Sequence, residues 1–183
     1  MTKAKSAHGP EYDWRDALPI PGVRSATPGR NALIHGVRIR RLPSFPDERG
    51  ALTEILRADD AEYQAFGQIY MTTSYPGVVK GWHLHERQND MISCVSGEVK
   101  LVLFDPREGS PTQGVVNEVF LGDCNRLLVK VPVGIFHGWK CIGGQAALVI
   151  NIPDRVYDYD APDERRVDPH DNEIPYEWAR RDG

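Results

Sequence analysis

Short apolar runs, each closed by Gly, Pro, Asp or Asn, follow one another from Leu33 to Ile152. Gly36-Val-Arg-Ile-Arg-Arg-Leu alternates apolar and polar positions with the period of a strand that buries one face. Residues 68–74 are rich in side chains that favour strands. Further strands are predicted over 91–95, 98–104, 117–121, 126–131, 135–141 and 146–152. Many short strands at close spacing imply an all-β double-sheet sandwich or jelly roll, not a parallel sheet. One short helix is predicted over 58–66, where Asp59 and Asp60 suit a helix start.

Outside this region the pattern weakens. Residues 1–30 carry Pro, Gly, Ser and charge without sustained periodicity and read as an extended arm or partly ordered tail, with 31–183 as one domain. From Asp154 the chain is polar and loop-like with aromatic anchors, and is expected to lie over the barrel.

A chain of 183 residues with 40% hydrophobic content is long enough for one well-buried core. Its formal net charge of -4 argues against a nucleic-acid footprint, so an anionic ligand must be held by a few placed cations. No apolar run is long enough to span a membrane, and the polar start Met1-Thr-Lys-Ala-Lys lacks a signal-peptide stretch. The expected compartment is the cytoplasm. Cys94, Cys124 and Cys141 are odd in number and form no paired framework; each reads as a small core residue, with Cys141 alone near a histidine.

The chemistry concentrates in two segments. In Lys80-Gly-Trp-His83-Leu-His85 two histidines stand two residues apart on an apparent strand, so both imidazoles aim into one cavity. Asp90 follows five residues later. Pro132-Val-Gly-Ile-Phe-His137-Gly feeds a third histidine into another apolar strand, and the three are expected to share a pocket. His8, His35 and His170 have no comparable context.

The spacing resembles the two signatures of the cupin superfamily: Gly77, five residues, His83-x-His85, four residues, Asp90, six residues, Gly97, then Pro132-x-Gly134-x-x-His137. Asp90 stands where Glu is usual. This implies a cupin jelly roll, or double-stranded β-helix. Within that superfamily, 36–178 most resembles the dTDP-4-dehydrorhamnose 3,5-epimerase family. The resemblance is carried by Asp47-Glu-Arg49-Gly50-x-x-x-Glu54, Phe66-Gly-Gln68, Lys80-Gly-Trp-His83, Asp105-Pro-Arg107-x-x-Ser-Pro-Thr112 and Pro132-Val-Gly-Ile-Phe-His137-Gly.

The resemblance implies roles. His83 occupies the position of the base that removes a proton beside a ketone. Asp171, by its spacing to Trp178, matches the partner carboxylate. His137 would hydrogen-bond the enolate oxygen, with Lys80, in place of the family's Arg, adding positive charge. Arg49, Glu54 and Gln68 resemble residues that bind the nucleotide diphosphate, with Asn151 and Tyr157 also assigned to substrate. The family takes part of this site from a neighbouring subunit, which implies a homodimer on a nucleotide-diphosphate sugar without a cofactor.

Three departures alter the picture. Asn151 aligns with the family's proton-returning Tyr, and an amide is a very poor acid, leaving Tyr157, Tyr159 or Tyr70 to replace it. Asp90 stands where the family has Lys. His85 replaces a Gln and resembles the His-x-His pair of nucleotide-sugar 3,4-ketoisomerases. Two other classes stay open: a metal-dependent cupin enzyme holding a divalent ion on His83, His85, Asp90 and His137, and a non-catalytic sugar-nucleotide binding protein. Arg49 also suits a surface ion pair with Asp47 or Glu54, and Asp171 a solvated carboxylate.

Overall fold

The structure is a computed structural model and describes residues 9–16 and 18–182. Among these residues fourteen strands form: β1 (Glu11–Asp13), β2 (Val23–Ser25), β3 (Arg38–Arg41), β4 (Ser44–Asp47), β5 (Gly50–Thr53), β6 (Tyr70–Ser74), β7 (Val79–Leu84), β8 (Asp90–Ser96), β9 (Glu98–Phe104), β10 (Val116–Gly122), β11 (Leu127–Val131), β12 (Phe136–Cys141), β13 (Ala147–Asn151) and β14 (Arg165–Arg166). One six-stranded sheet has the order β1-β3-β11-β8-β13-β6 and the other β14-β7-β12-β9-β10-β2, all pairings antiparallel. From β6 onward the chain passes repeatedly from sheet to sheet. This is the jelly roll that the strand spacing predicts.

The inner faces meet in a core that includes Leu33, Ile34, Val37, Ile39, Ile92, Leu101, Leu103, Val119 and Val129. Burying each such side chain contributes about 1.5–3 kcal/mol, which sets the register of the strands that line the core. β9 is largely buried on both faces for a reason visible at its other side: Val102 packs outward with Trp82, Phe136, Tyr176 and Trp178. The Trp82 and Trp178 ring centroids are 4.9 Å apart, and Lys140 Nζ donates to the Trp178 carbonyl at 2.8 Å. The polar C-terminal segment is therefore anchored on the outer face of the second sheet.

Two local expectations change, and one element is new. Residues 9–30, expected as an extended arm or partly ordered tail outside the 31–183 domain, are built into it: β1 edges the first sheet on β3, β2 edges the second on β10, and Leu18, Ile20 and Val23 enter the core. Residues 1–8, with His8, lie outside the described residues. The stretch 58–66 forms two turns instead of a helix, because the Asp60 carboxylate turns inward. Its Oδ2 accepts from Arg57 N and from the buried Arg40 guanidinium, both at 2.7 Å, which satisfies that buried cation. Finally, 44–53 makes a separate β4–β5 hairpin, with Arg49 in its turn.

The cavity wall is shaped where β7 meets β12. His83 pairs with His137 across the strands, but Lys80 pairs with Trp139, so β7 carries one extra residue over this interval. A bulge of this kind resets the alternation of side chains, and Lys80 and His83, three apart, both line the cavity. Glycine is required at the crossing: a Cβ on Gly81 would lie 2.8 Å from the Gly138 Cα.

Candidate active site

A cavity of about 910 Å³ opens between the sheets at the ends that carry β6 and β7. β7 and β12 supply Lys80, His83, His137 and Trp139 to one wall, with His85 just past the end of β7; β6 and β13 supply Tyr70, Thr72 and Asn151 to the other. Gln68, Tyr157, Glu164 and Arg166 come from flanking segments. The three histidines do share one cavity.

Beneath the lining, Asp90 is 1% exposed and lies between two of them. Its Oδ2 lies 3.1 Å from His137 Nε2 and 3.4 Å from His85 Nε2, while Gln88 Nε2 donates to Oδ1 at 2.8 Å. Burial acts to raise the Asp90 carboxyl, but hydrogen bonds and charge from His137 and His85 overcome it and hold the group below the usual carboxylate range. Burial likewise acts against a charge on His85, and Asp90 overrides it, raising the imidazole to about 9. His85 is therefore a cation at neutral pH. Its Nδ1 bonds to the Asp163 carbonyl, and His137 Nδ1 lies 3.2 Å from the Ile135 carbonyl. Both ring nitrogens of His137 are thus turned to protein partners, which overturns its expected hydrogen bond to an enolate oxygen. Among the described residues Lys80 makes no ion pair, and it is the cation of the His83 wall left to face a ligand.

His83 has the opposite electrostatics. Burial first, then the neighbouring His137, lowers it to about 4, so its imidazole is neutral at pH 7 and able to accept a proton. Its Nε2 lies 3.8 Å from Glu164 Oε1. Burial acts to raise Glu164, but the Arg166 guanidinium, 2.6 Å from its other oxygen, holds it ionised. The carboxylate beside the base is therefore Glu164. Asp171 sits in an exposed turn whose backbone N bonds to Asp168 Oδ1 at 2.9 Å, and it does not line the cavity. The physical reason lies in β14, two residues long, which pairs Arg166 with His83 and so sets Glu164 beside the ring.

The remaining expected binding residues divide. Gln68, Asn151 and Tyr157 line the cavity, Gln68 Oε1 accepting from Tyr157 N at 3.3 Å. Arg49 and Glu54 do not: Arg49 pairs with Asp47 on the exposed hairpin, and Glu54 with Arg57 at 3.2 Å. As candidate metal ligands, His85, Asp90 and His137 bring one donor atom each within 4.8 Å of one another, and His83 stands apart from that group. The four-residue ligand set thus reduces to three. Two imidazoles and a carboxylate suit zinc or a neighbouring first-row ion; the same three groups also form an ion-paired cluster, in which the buried Asp90 Oδ2 has no well-formed hydrogen bond.

Comparison with known proteins bears on the family and the fold. The family model described as dTDP-4-dehydrorhamnose 3,5-epimerase matches residues 31–182. A probable low-salt glycan biosynthesis epimerase of Haloferax volcanii is 41% identical over 140 residues, 75% of this chain and 89% of that protein. The spore coat polysaccharide biosynthesis protein SpsL of Bacillus subtilis is 35% identical over 146 residues, 80% of this chain and 97% of SpsL. The crystal structure of a dTDP sugar isomerase from Desulfovibrio desulfuricans superposes with a TM-score of 0.77 at 31% identity, covering 81% of this chain and 94% of that one. The chain therefore belongs to the dTDP-4-dehydrorhamnose 3,5-epimerase family, whose members are isomerase-class enzymes.

Proposed function

We propose that this chain epimerises a nucleotide diphosphate-linked 4-keto-deoxysugar by abstracting a proton from a carbon next to the ketone. The observation that carries this reading is His83, a neutral imidazole on the wall of a cavity of about 910 Å³ with an ionised carboxylate 3.8 Å from it. As His83 takes the proton it becomes a cation, which Glu164 stabilises; Lys80 supplies positive charge to the enolate oxygen. The Asp90 cluster positions His137 and His85 and holds the wall rigid. Solved relatives in complex with dTDP-quinovose, or with TDP and pyrophosphate, support a nucleotide-sugar ligand.

We further assign Arg49 and Glu54 to the cavity of a second copy in a homodimer. Support comes from an apolar surface on the hairpin and the β6 edge, where Leu52 and Met71 are each 63% exposed and Ile69 is 56% exposed. Three free cysteines, two of them buried, suit a reducing compartment, and the cytoplasm is the proposed location.

The test is solvent exchange. Incubated in D2O with dTDP-linked 4-keto-6-deoxyhexoses, the protein is expected to place deuterium beside the ketone; absence of exchange across dTDP-, CDP- and GDP-linked 4-keto sugars would overturn the assignment. The His85, Asp90 and His137 group favours a second reading, a metal-dependent enzyme on the same fold. Elemental analysis of protein purified without chelator or nickel resin separates the two: a stoichiometric divalent ion whose removal abolishes turnover would favour the metal reading.

A further inference from the structure

We propose that Tyr70 is the acid that returns a proton to the substrate carbon from the wall opposite His83. The inference rests on the proton-abstraction reading and names the group that completes it. Inverting a carbon requires the proton to leave one face of the sugar and arrive on the other, so base and acid stand on opposite sides of the bound ring. His83 belongs to the β7 and β12 wall of the second sheet, and the facing wall is built by β6 and β13 of the first.

That facing wall presents Tyr70, Thr72 and Asn151 to the cavity. Of these, the phenol alone is an acid that can release a proton and hold the resulting charge. Asp90, from β8 of the same sheet, is already ionised and enclosed by imidazoles. Two other phenols line the cavity, but both come from the C-terminal segment and not from a wall: Tyr157 lies edge-on to Tyr159, which is 88% exposed.

Asn151 and Tyr70 are direct cross-strand partners between β13 and β6. Asn151 Nδ2 donates to Tyr70 Oη at 2.8 Å. Because the phenol oxygen accepts this bond, its own hydrogen is left for a second acceptor, and the same amide donor stabilises the phenolate after transfer. Burial, then the charge of Asp90, pushes the phenol up to about 12, which keeps it protonated at neutral pH. The poor acid at position 151 thus orients a competent one on the adjacent strand.

The step balances. His83 takes the proton as the C–H electrons form the enolate double bond and the ketone oxygen takes the charge. When the C=O re-forms, the enolate carbon takes the Tyr70 Oη hydrogen on its other face, leaving a phenolate. Water then reprotonates Tyr70 and deprotonates His83, so substrate and product are isomers.

The test uses the full chain with a dTDP-linked 4-keto-6-deoxyhexose in D2O, followed by NMR. In Tyr70→Phe, inversion is expected to fall by about 100-fold or more, the size of a general-acid contribution, while His83-dependent deuterium exchange at the same carbon persists with retained configuration. Inversion at the wild-type rate overturns the role of Tyr70, and so does simultaneous loss of inversion and exchange. Absence of exchange in the wild-type protein would instead overturn the proton-abstraction reading itself. A second variant keeps the hydroxyl and the packing: 3-fluorotyrosine at position 70 is expected to move the alkaline limb of the inversion rate to lower pH, and an unmoved limb overturns the proposal.

Discussion

Glu164 Oε1 lies 3.8 Å from His83 Nε2. A carboxylate at that distance stabilises the imidazolium formed during proton abstraction and orients the ring. Glu164→Gln is therefore expected to lower kcat about 10- to 100-fold, in line with the loss of a group that orients another, with a smaller change in KM. The acid limb of the rate, set by a His83 pKa of about 4, is expected to move still lower, because the carboxylate raises that pKa. Asp171→Asn, on an exposed turn, is expected to stay within about twofold of wild type, as surface substitutions do. Steady-state rates against pH check both; a larger loss in the Asp171 variant would return the partner role to that residue.

Arg49 and His83 are expected to act in different copies of the same active site. Arg49→Ala and His83→Ala are each expected to be inactive alone, and mixed subunits to regain turnover, because a two-fold dimer of the two variants keeps one intact site. Leu52→Asp on the exposed hairpin is expected to reduce the mass seen by light scattering to the 20.6 kDa of one chain. A wild-type protein that is already monomeric and active would remove the second copy from the site.

Trp82 connects stability to the site, since it is fully buried against Trp178 and Tyr176 and directly precedes His83. Trp82→Ala leaves a cavity under the C-terminal segment, and a loss of about 3–5 kcal/mol is expected by urea denaturation, as for large core truncations. Because that segment also delivers Glu164, proteolysis between 154 and 182 is expected to quicken in the same variant. A loss below about 1 kcal/mol would mean that the segment contributes little to the fold.

How much of this was legible follows from what each residue depends on. The roll was readable because its strands are bounded by local signals such as Gly97, Asp105 and Gly134, and because His83 and His137 sit on strands, with His85 just past the end of the first, so that their faces follow from the period of two. The helix over 58–66 was misread because Asp60 spends its carboxylate on Arg40, a partner twenty residues away. Glu164 was missed because a two-residue strand in a polar tail has no periodicity, and its place is set only by pairing with β7. Lys80 and His83, three apart, reach one cavity through a register shift that spacing alone does not reveal.

The two cavity imidazoles of opposite character give stability a peak in pH. His85 is raised to about 9 by Asp90, above the roughly 6.5 of an unfolded histidine. Its contribution is complete below about 6.5 and is lost as pH rises toward 9, because the folded state there holds the extra proton. His83 is lowered to about 4, so between about 6.5 and 4 the unfolded state binds the extra proton and stability falls as pH falls. Urea midpoints are therefore expected to be highest near pH 6.5 and to decline on both sides. In Asp90→Asn, His85 loses its counter-charge, and the alkaline decline is expected to disappear together with several kcal/mol of stability from the broken buried cluster. In His83→Asn the acid decline is expected to weaken while the alkaline one stays. A wild-type curve that is flat from pH 5 to 9 would mean that neither imidazole has the environment described, and the neutral base and its cationic neighbour would both have to be reassigned.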